Sequence, residues 1–411
     1  MTDFKFLEIK QGEFDNFRDS ISKASFQQTG NMGKLLKSRG YQVHYFAGLV
    51  KDEIQIAALV SQIKIFGGFR YELNFGPISK SGIEDNIWLK FVNEIQKFVK
   101  KSNGLYLLVK PDLDYEIYND NFEIQATENQ NILNSLPSLK FIKLNPSRIN
   151  LEGDGDFGWH YRKSIEHLAD NKALFKSYSK DGQYSIKKTQ QFGITVRPLA
   201  YNELSEFKKI TEATSERRDF SDHDLAYYEL FYKSFAEKAK FLVAEINFQT
   251  YVTALKDQIT KLQAQIDKSE SAKKQKQREE WQSQIHSQEK RLTEISPFLE
   301  KYQDQAVILA AALFVESGDE LVYFSSGSFE EFKALQAPFA LQYEAMSEAL
   351  AKNKVTYNFY GVTGQFDGSD GVLRFKQKFS GYLAKKLGVF LYAPNPIKYN
   401  AIRLLKKALK R

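Results

Sequence analysis

The sequence predicts a mixed α/β fold, with α+β character, made of two similar halves and an inserted helical arm. Three observations support this prediction. The chain has 411 residues, more than a single hydrophobic core usually organises. Strand and helix patterns alternate through the first part of the chain and restart after about Asn145. Two apolar heptad-like runs flank a polar segment in the second half.

The first half shows a strand, strand, helix, strand order after an opening helix. The predicted elements are helix 25–40, strands 41–49 and 54–66, helix 83–101 and strand 105–109. This order fits an acetyltransferase-like (GNAT-like) half. We therefore interpret residues 1–150 as a first domain and expect the C-terminal segment 390–411 to complete it.

The pattern restarts in the second half of the chain. The predicted elements are helices 164–177 and 183–191, strand 194–198, helices 201–210 and 222–239, strand 241–246, strands 306–315 and 320–324, helix 329–352 and strand 355–359. Residues 151–389 are interpreted as a second domain of the same type. The arm, residues 250–302, is inserted into it.

The arm is predicted to be an antiparallel coiled coil. Its apolar residues repeat at spacings of three and four on both sides of a polar tip: Leu255, Ile259, Leu262 and Ile266, then Ile285, Leu292, Ile295 and Leu299. The tip holds one acid, Glu270, against the cations Lys268, Lys273, Lys274, Lys276 and Arg278. Such a tip serves solubility alone or makes sequence-independent contacts with RNA phosphates.

The stretch from residue 361 to residue 381 combines glycines, cations and phenylalanines. Interpreted as an extended segment, it places Arg374, Lys376 and Lys378 on one face and Phe375 and Phe379 on the other. From composition alone, a solvated edge strand whose lysines block aggregation is the favoured interpretation. A glycine-rich site for an anionic ligand is the alternative.

Composition narrows the classes of function. Cysteine is absent, which excludes thiolate nucleophiles, disulfides and cysteine-held metals. The five histidines show no metal-ligand spacing, so neither metal nor cofactor is expected. The N-terminal sequence is charged and the longest apolar run, residues 306–315, is too short to cross a bilayer, so we expect an intracellular protein.

The C-terminal tail is strongly basic. Residues 397–411 carry six cations and no acid, and Ile402, Leu405 and Leu409 share one helical face. A basic amphipathic helix suits an anionic membrane surface or RNA phosphate. Packing of its apolar face on the body of the protein is the equally weighted alternative.

Several motifs resemble the C-terminal signature of the FemABX aminoacyltransferases. They are Y-x-F-x-G at Tyr357, G-V-L-R-F-K-x-K-F-S-G from Gly371, L-G at Leu387 and N-P at Asn395. The resemblance covers essentially the whole chain. It implies transfer of an amino acid, usually Ala, Ser or Gly, from aminoacyl-tRNA to the peptide stem of lipid II or UDP-MurNAc-pentapeptide. It also implies work at the cytoplasmic face of the membrane, and the residues 25–43 resemble the MurN branch, which suggests a later residue of the bridge.

The resemblance assigns roles to individual residues. Lys376, beside Phe375, stabilises the charge that develops during acyl transfer. The T-x-E-R-x-x-F motif falls on Thr214, Glu216, Arg217 and Phe220, which makes Arg217 a phosphate clamp, with a local salt bridge as the alternative. The other candidates for substrate binding are Lys37, Arg374, Tyr227 and Tyr357, and the cations of the arm tip are assigned to tRNA.

The sequence also departs from the family pattern. A family Asp is Asn358 here, which cannot act as a base, and Lys110-Pro111 stands where Asp-Pro is usual, with Asp112 and Asp114 just downstream. Two other functions therefore stay open. One is an acetyl-CoA-dependent N-acyltransferase, although no convincing pyrophosphate loop is present. The other is a non-catalytic RNA-binding coiled-coil protein.

Overall fold

A computed structural model describes residues 4–145, 158–218, 221–269 and 275–409 of the chain. Its strands are β1 (Phe4–Glu8), β2 (Gln42–Val50), β3 (Glu53–Ile65), β4 (Gly68–Asn74), β5 (Ile78–Ser79), β6 (Gly104–Lys110), β7 (Asp114–Tyr118), β8 (Ile124–Thr127), β9 (Ile142–Lys143), β10 (Trp159–Ser164), β11 (Thr195–Pro198), β12 (Ala239–Asn247), β13 (Ala306–Ser317), β14 (Glu320–Ser328), β15 (Thr356–Val362), β16 (Tyr382–Lys386) and β17 (Phe390–Tyr392). Its α-helices are α1 (Gln11–Asp19), α2 (Gly30–Ser38), α3 (Asp85–Lys101), α4 (Gln130–Ser135), α5 (Asn171–Lys176), α6 (Lys180–Gln191), α7 (Leu204–Arg218), α8 (Leu225–Phe235), α9 (Phe248–Asp267), α10 (Gln275–Tyr302), α11 (Pro338–Ala351), α12 (Gly371–Gln377) and α13 (Pro396–Leu409).

The first sheet has the order β1-β2-β3-β4-β6-β17-β9, with β5 on β3. Its pairs are antiparallel except β4 and β6, which are parallel because α3 crosses between them. Side chains alternate across the sheet: Tyr45 and Leu59 pack with α1 and α2, whereas Phe46 and Val60 pack with α3.

The second sheet repeats this plan with the order β11-β12-β13-β14-β15-β10-β16-β7-β8. Strands β14 and β15 are parallel, and α11 supplies their crossover. Each half therefore contains antiparallel strands followed by one parallel crossover unit. The predicted fold class, two acetyltransferase-like α/β halves with an inserted arm, is confirmed.

The two sheets exchange segments of chain. Strand β17, from the segment 390–411, joins the first sheet, while β7 and β8, from within residues 1–150, join the edge of the second sheet beside β16. One core is also shared: Leu59 of β3 and Phe241 of β12 belong to the same buried cluster, which α7 and α8 help to fill. The sheets therefore do not separate at residue 150, and the rest of the domain division stays a prediction.

The arm consists of α9 and α10, which pack as an antiparallel pair. At its base Leu255 and Ile295 are fully buried, and the rings of Phe248 and Phe298 stack at 5.4 Å between centroids. Farther out, Ile259 and Leu262 are half-buried between exposed neighbours. Because the apolar seam faces inward, the coiled-coil prediction is confirmed.

Two local predictions are wrong. Residues 371–377 form helix α12, so the predicted extended segment with alternating cations does not exist. Residues 159–164 form strand β10 and the helix begins only at Asn171, where the carboxylate of Asp170 accepts from the N–H of Ala173. In both places a capping aspartate fixes where the helix begins.

No helix in the part of the chain that the structure describes is both long enough and apolar enough to span a membrane.

Candidate active site

Lys376 lies at the centre of the candidate site, on the short helix α12. Its side chain is 3% exposed. The ammonium donates to the carbonyl oxygens of Gly361 (Nζ–O 2.6 Å) and Tyr360 (Nζ–O 3.4 Å). Asp370 anchors the helix, since its carboxylate accepts from the N–H groups of Val372 and Leu373 at 2.8 and 3.0 Å.

The environment of Lys376 makes its ammonium acidic. Burial lowers the pKa of Lys376 to about 7, the carboxylate of Asp370 opposes this shift, and the guanidinium of Arg218 adds to it. A lysine that titrates near neutrality can exchange a proton with a substrate, whereas an ordinary surface lysine stays charged.

A bulge in β15 brings two successive carbonyl oxygens close to the ammonium group of Lys376. The pairing of β10 with β15 shifts between the partners of His160 and Arg162, and Tyr360 has a φ of 63°. In a regular strand successive carbonyls point to opposite sides. The left-handed residue breaks that alternation, so Tyr360 and Gly361 both reach the same ammonium.

His160 lies under this bulge and was not predicted from the sequence. It is 1% exposed, and neither ring nitrogen has a hydrogen-bond partner among the described residues. Burial, followed by the positive charges of Lys386 and Arg162, lowers its pKa well below the ordinary value. The imidazole is therefore neutral at physiological pH. No motif pointed to it, because a lone histidine in a strand has no distinguishing spacing.

Aromatic rings from both halves meet beside Lys376. Phe26 and Phe75 come from the first half, and their ring centroids lie 6.5 and 5.9 Å from that of Tyr360. Phe324 and His160, from the second half, lie 5.8 and 4.8 Å from the same ring. The site therefore lies where the two halves join, a position that only the tertiary structure reveals.

Gln28 fixes the first-half side of this junction. Its amide nitrogen donates to the carbonyls of Leu59 (3.1 Å) and Asn74 (2.7 Å), and its amide oxygen accepts from the N–H of Leu59 (2.8 Å). Strands β3 and β4 are thus bridged by a buried side chain. Thr29, the next residue, caps α2 by accepting from the N–H of Met32.

A buried ion network lies next to His160. Lys386 contacts Asp112 (2.5 Å) and Asp114 (2.9 Å), and Arg162 contacts Asp114 (2.7 Å). Burial alone would raise the pKa of Asp114, but the two cations outweigh it and hold the pKa below its ordinary value. Asp114 is therefore an ionised member of a structural network that joins β10 and β16 to the chain entering β7.

Arg217 lies at the C-terminal end of α7, with 29% of its side chain exposed. It donates to the carbonyl of Ser328 (3.1 Å) and approaches Glu330 at 3.4 Å. Its neighbour Arg218 was not singled out from the sequence, yet its charge acts on Lys376. The two arginines therefore form a basic edge beside the site. Phe220, the last residue of the predicted motif, lies outside the described residues.

Two other predicted substrate-binding residues, Lys37 and Tyr227, lie on adjoining helices. Lys37 is exposed on α2, with its ammonium 5.7 Å from the centroid of the Tyr45 ring. Tyr227, on the adjoining helix α8, stacks on His223 at 3.8 Å, and Arg39 lies over its ring at 5.1 Å. These residues form a second basic and aromatic area, between α2 and α8.

Three residues of the signature differ in accessibility. Tyr357 is 0% exposed and its hydroxyl donates to the side-chain oxygen of Gln342 at 2.6 Å, so it supports the site from within the core. Phe375 is half-buried against Phe339, 4.9 Å between ring centroids. Arg374 is exposed on the outer face of α12.

The arm tip lies partly outside the described residues, which exclude Lys273 and Lys274. Lys268 and Lys276 are exposed, while Arg278 donates to the carbonyl of Ser269 at 2.9 Å. The described part of the tip thus exposes the side chains of Lys268 and Lys276 to solvent, and Arg278 links Ser269, just after α9, to α10.

Comparison with known proteins identifies the family. A model described as the FemAB family matches residues 9–407, nearly the whole chain. The chain belongs to the FemAB family. Its FemAB relatives include the aminoacyltransferase FemA of Staphylococcus epidermidis, 27% identical over 422 residues, with 99% of this chain and 100% of that protein covered. FemA of Staphylococcus aureus is 28% identical over 424 residues, with 99% of each chain covered.

A solved structure supports the same FemAB fold. The crystal structure of FemX superposes with a TM-score of 0.74 at 18% identity, covering 97% of this chain and 99% of that one. The predicted family and the predicted enzyme class, aminoacyltransferase, are confirmed by these comparisons. Both alternatives, the acetyl-CoA enzyme and the non-catalytic RNA-binding protein, are correspondingly disfavoured.

Proposed function

We propose that this protein transfers an amino acid from aminoacyl-tRNA to the stem-peptide lysine of a peptidoglycan precursor, or to the branch already attached there. The transferred residue belongs to the small class of Ala, Ser and Gly. The acceptor is lipid II or UDP-MurNAc-pentapeptide, and the product forms the interpeptide bridge. The enzyme works in the cytoplasm, at the inner face of the membrane. Similarity to FemA aminoacyltransferases over the whole chain supports this proposal.

The buried ammonium of Lys376 is the observation that supports this chemistry most directly. In the proposed reaction the acceptor amine attacks the ester carbonyl, a C–N bond forms and the C–O bond to the ribose breaks. The amine loses a proton and the departing ribose oxygen gains one. With a pKa of about 7, Lys376 can stabilise the developing oxyanion and supply that proton.

No covalent enzyme intermediate is needed, because the aminoacyl ester is already activated. Holding the amine against the ester supplies much of the acceleration. Arg217, with Lys37 and Arg374, contacts precursor phosphates in this proposal, since guanidinium and ammonium groups suit them. Phe375 and Tyr227 line the substrate path, and Tyr357 supports it. Lys268, Lys273, Lys274, Lys276 and Arg278 contact tRNA phosphates.

Purified protein incubated with a mixture of charged tRNAs and either precursor tests the proposal. We expect a product heavier by Ala, Ser or Gly when its mass is measured. Acetylation from acetyl-CoA without tRNA would favour an ordinary N-acetyltransferase instead. Binding of tRNA with no transfer to either acceptor would favour a non-catalytic RNA-binding protein.

A further inference from the structure

Helix α13 uses only part of its surface to pack on the body of the protein. Tyr399 and Ile402 are buried, and the Tyr399 ring lies 5.5 Å from that of Tyr106 on β6. Ile402 lies against Gly67, where an added Cβ would come within 2.0 Å of its Cδ1 atom. These two residues are three apart and so mark one side of the helix. The packing alternative from the sequence is therefore correct for this side only.

The opposite side of α13 carries large apolar residues that nothing in the described chain covers. Ile397 and Leu404 are seven apart, on one stripe, and are 84% and 63% exposed. Leu405 and Leu409 lie toward the Ile402 side of the helix and are also exposed, at 53% and 83%. Phe66, 65% exposed, directly precedes the Gly67 that Ile402 touches. Large exposed apolar side chains gathered in one region mark an interaction surface.

The charged residues of the C-terminal segment all have the same sign. From residue 371 to residue 411 the sequence contains eleven Lys and Arg residues and no Asp or Glu. On α13 itself Lys398, Arg403 and Lys406 are exposed. A partner for this helix must therefore offer both an apolar interior and negative charge.

We propose that the exposed side of α13, together with Phe66, docks on an anionic phospholipid surface. A bilayer rich in anionic lipid supplies acyl chains for Ile397 and Leu404 and headgroup phosphates for Lys398, Arg403 and Lys406. RNA offers phosphates, but it gives exposed leucines nothing to bury against. A second copy of this chain would bring the same positive charge to the contact. The proposal adds a docking surface to the membrane location proposed above and does not depend on acyl transfer.

Sedimentation of the full-length protein with vesicles tests this surface without any substrate. The probes are vesicles of phosphatidylglycerol and phosphatidylcholine in equal parts, and vesicles of phosphatidylcholine alone. Because attraction to headgroups is electrostatic, we expect binding only to the anionic vesicles, and weaker binding at high salt.

Leu404→Glu is the variant and Tyr184→Glu its matched control. Tyr184 lies on α6 of the second half and is 64% exposed, against 63% for Leu404. Both changes therefore place a carboxylate at an equally exposed helical position. Leu404→Glu should weaken vesicle binding by about tenfold or more, because it removes a branched apolar chain and adds a charge of the lipid's sign. Tyr184→Glu should bind like the unmodified protein. Neither change should alter the melting temperature or transfer to a soluble acceptor.

Three results would overturn the proposal. One is equal binding of Leu404→Glu and unmodified protein to anionic vesicles. Another is that Leu404→Glu no longer binds tRNA but still binds anionic vesicles, which would show that the helix contacts RNA. The third is a dimer of the unmodified protein that Leu404→Glu makes monomeric without changing vesicle binding. The vesicles contain no peptidoglycan precursor, so none of these results bears on aminoacyl transfer.

Discussion

At the scale of single residues, Lys376 combines two features that surface lysines lack. Its ammonium is held by the carbonyls of Gly361 and Tyr360, and burial lowers its pKa to about 7. The first feature fixes its direction, and the second makes its proton available near neutral pH. The first feature involves the bulge at Tyr360, whose φ of 63° no sequence pattern predicts.

Lys376→Met tests the proposed role directly. We expect the transfer rate to fall by about 100-fold or more, because the group that stabilises the oxyanion is lost. The two carbonyls also lose their donor, so the free energy of unfolding should fall by about 1–3 kcal/mol. Single-turnover rates and urea unfolding measure the two effects. Lys378→Met, the same change two residues away, should retain activity; if Lys376→Met retains it too, Lys376 is not catalytic.

The pH dependence of transfer separates charge from proton transfer. Lys376 with a pKa of about 7 is mostly protonated below neutrality and loses its charge above it. If the ammonium form is the active one, kcat should decline as the pH rises through about 7. Lys376→Arg keeps its charge throughout, so its slower reaction should lack this decline. A decline that persists in Lys376→Arg would belong to another group.

At the scale of elements, α12 shows how a local pattern can mislead. The alternation of Arg374, Lys376 and Lys378 favours a strand, but Leu373 and Lys376, three apart, share the buried face of a helix. Asp370 decides between them, because its carboxylate satisfies the N–H groups of the first turn. The motif singles out Lys376 as a candidate, whereas its backbone conformation depends on the cap at Asp370, which precedes the alternating cations.

The arm offers a prediction at the same scale. Lys268 and Lys276 are exposed on either side of the tip. Lys268→Glu combined with Lys276→Glu should weaken tRNA binding and reduce the salt dependence of log Kd by about one unit per lost phosphate contact. Filter binding at several salt concentrations measures this slope.

The control for the arm is Lys172→Glu combined with Lys176→Glu. Both lysines are exposed on the short helix α5, so the change in net charge is the same. If the two double variants weaken tRNA binding equally, the tip has no special role and only net charge matters.

At the scale of the whole molecule, the two halves are joined by a shared core and by the ion network around Asp114. Lys386, 4% exposed, contributes to that network from β16, whereas Asp112 and Asp114 lie where the chain enters β7. A buried network of this kind is sensitive to the loss of one member, because the remaining charges stay out of water.

Lys386→Met should lower the free energy of unfolding by about 3–5 kcal/mol, because it leaves two aspartates with Arg162 alone. Lys385→Met is the matched control. Lys385 is 35% exposed and pairs with Glu116 at 2.7 Å, so its loss should cost about 0–1 kcal/mol. Urea unfolding of both variants measures the difference, and equal losses would show that the network contributes no more than a surface pair.

The same network predicts an acid sensitivity. The pKa of Asp114 in the folded protein lies below its unfolded value, so its stabilising contribution is complete above about pH 4. That contribution is lost as the pH falls further, because protonation then favours the unfolded chain. Asp114→Asn should be less stable at neutral pH and should show a flatter decline in unfolding free energy on acidification. An unchanged acid profile would contradict this assignment.

The sequence by itself determined the fold class and the arm, because periodicity is a local property of the chain, and motif spacing singled out Lys376 as a candidate. Only the tertiary structure decided which groups surround that lysine. His160, Arg218, Tyr360 and Gln28 come from four separate segments. His160 and Gln28 are buried, the carbonyl of Tyr360 accepts from the Lys376 ammonium, and the charge of Arg218 lowers the pKa of Lys376 further. Likewise, helical spacing showed that α13 is amphipathic, but packing against β6 decided that Ile402 is buried and Leu404 is left free.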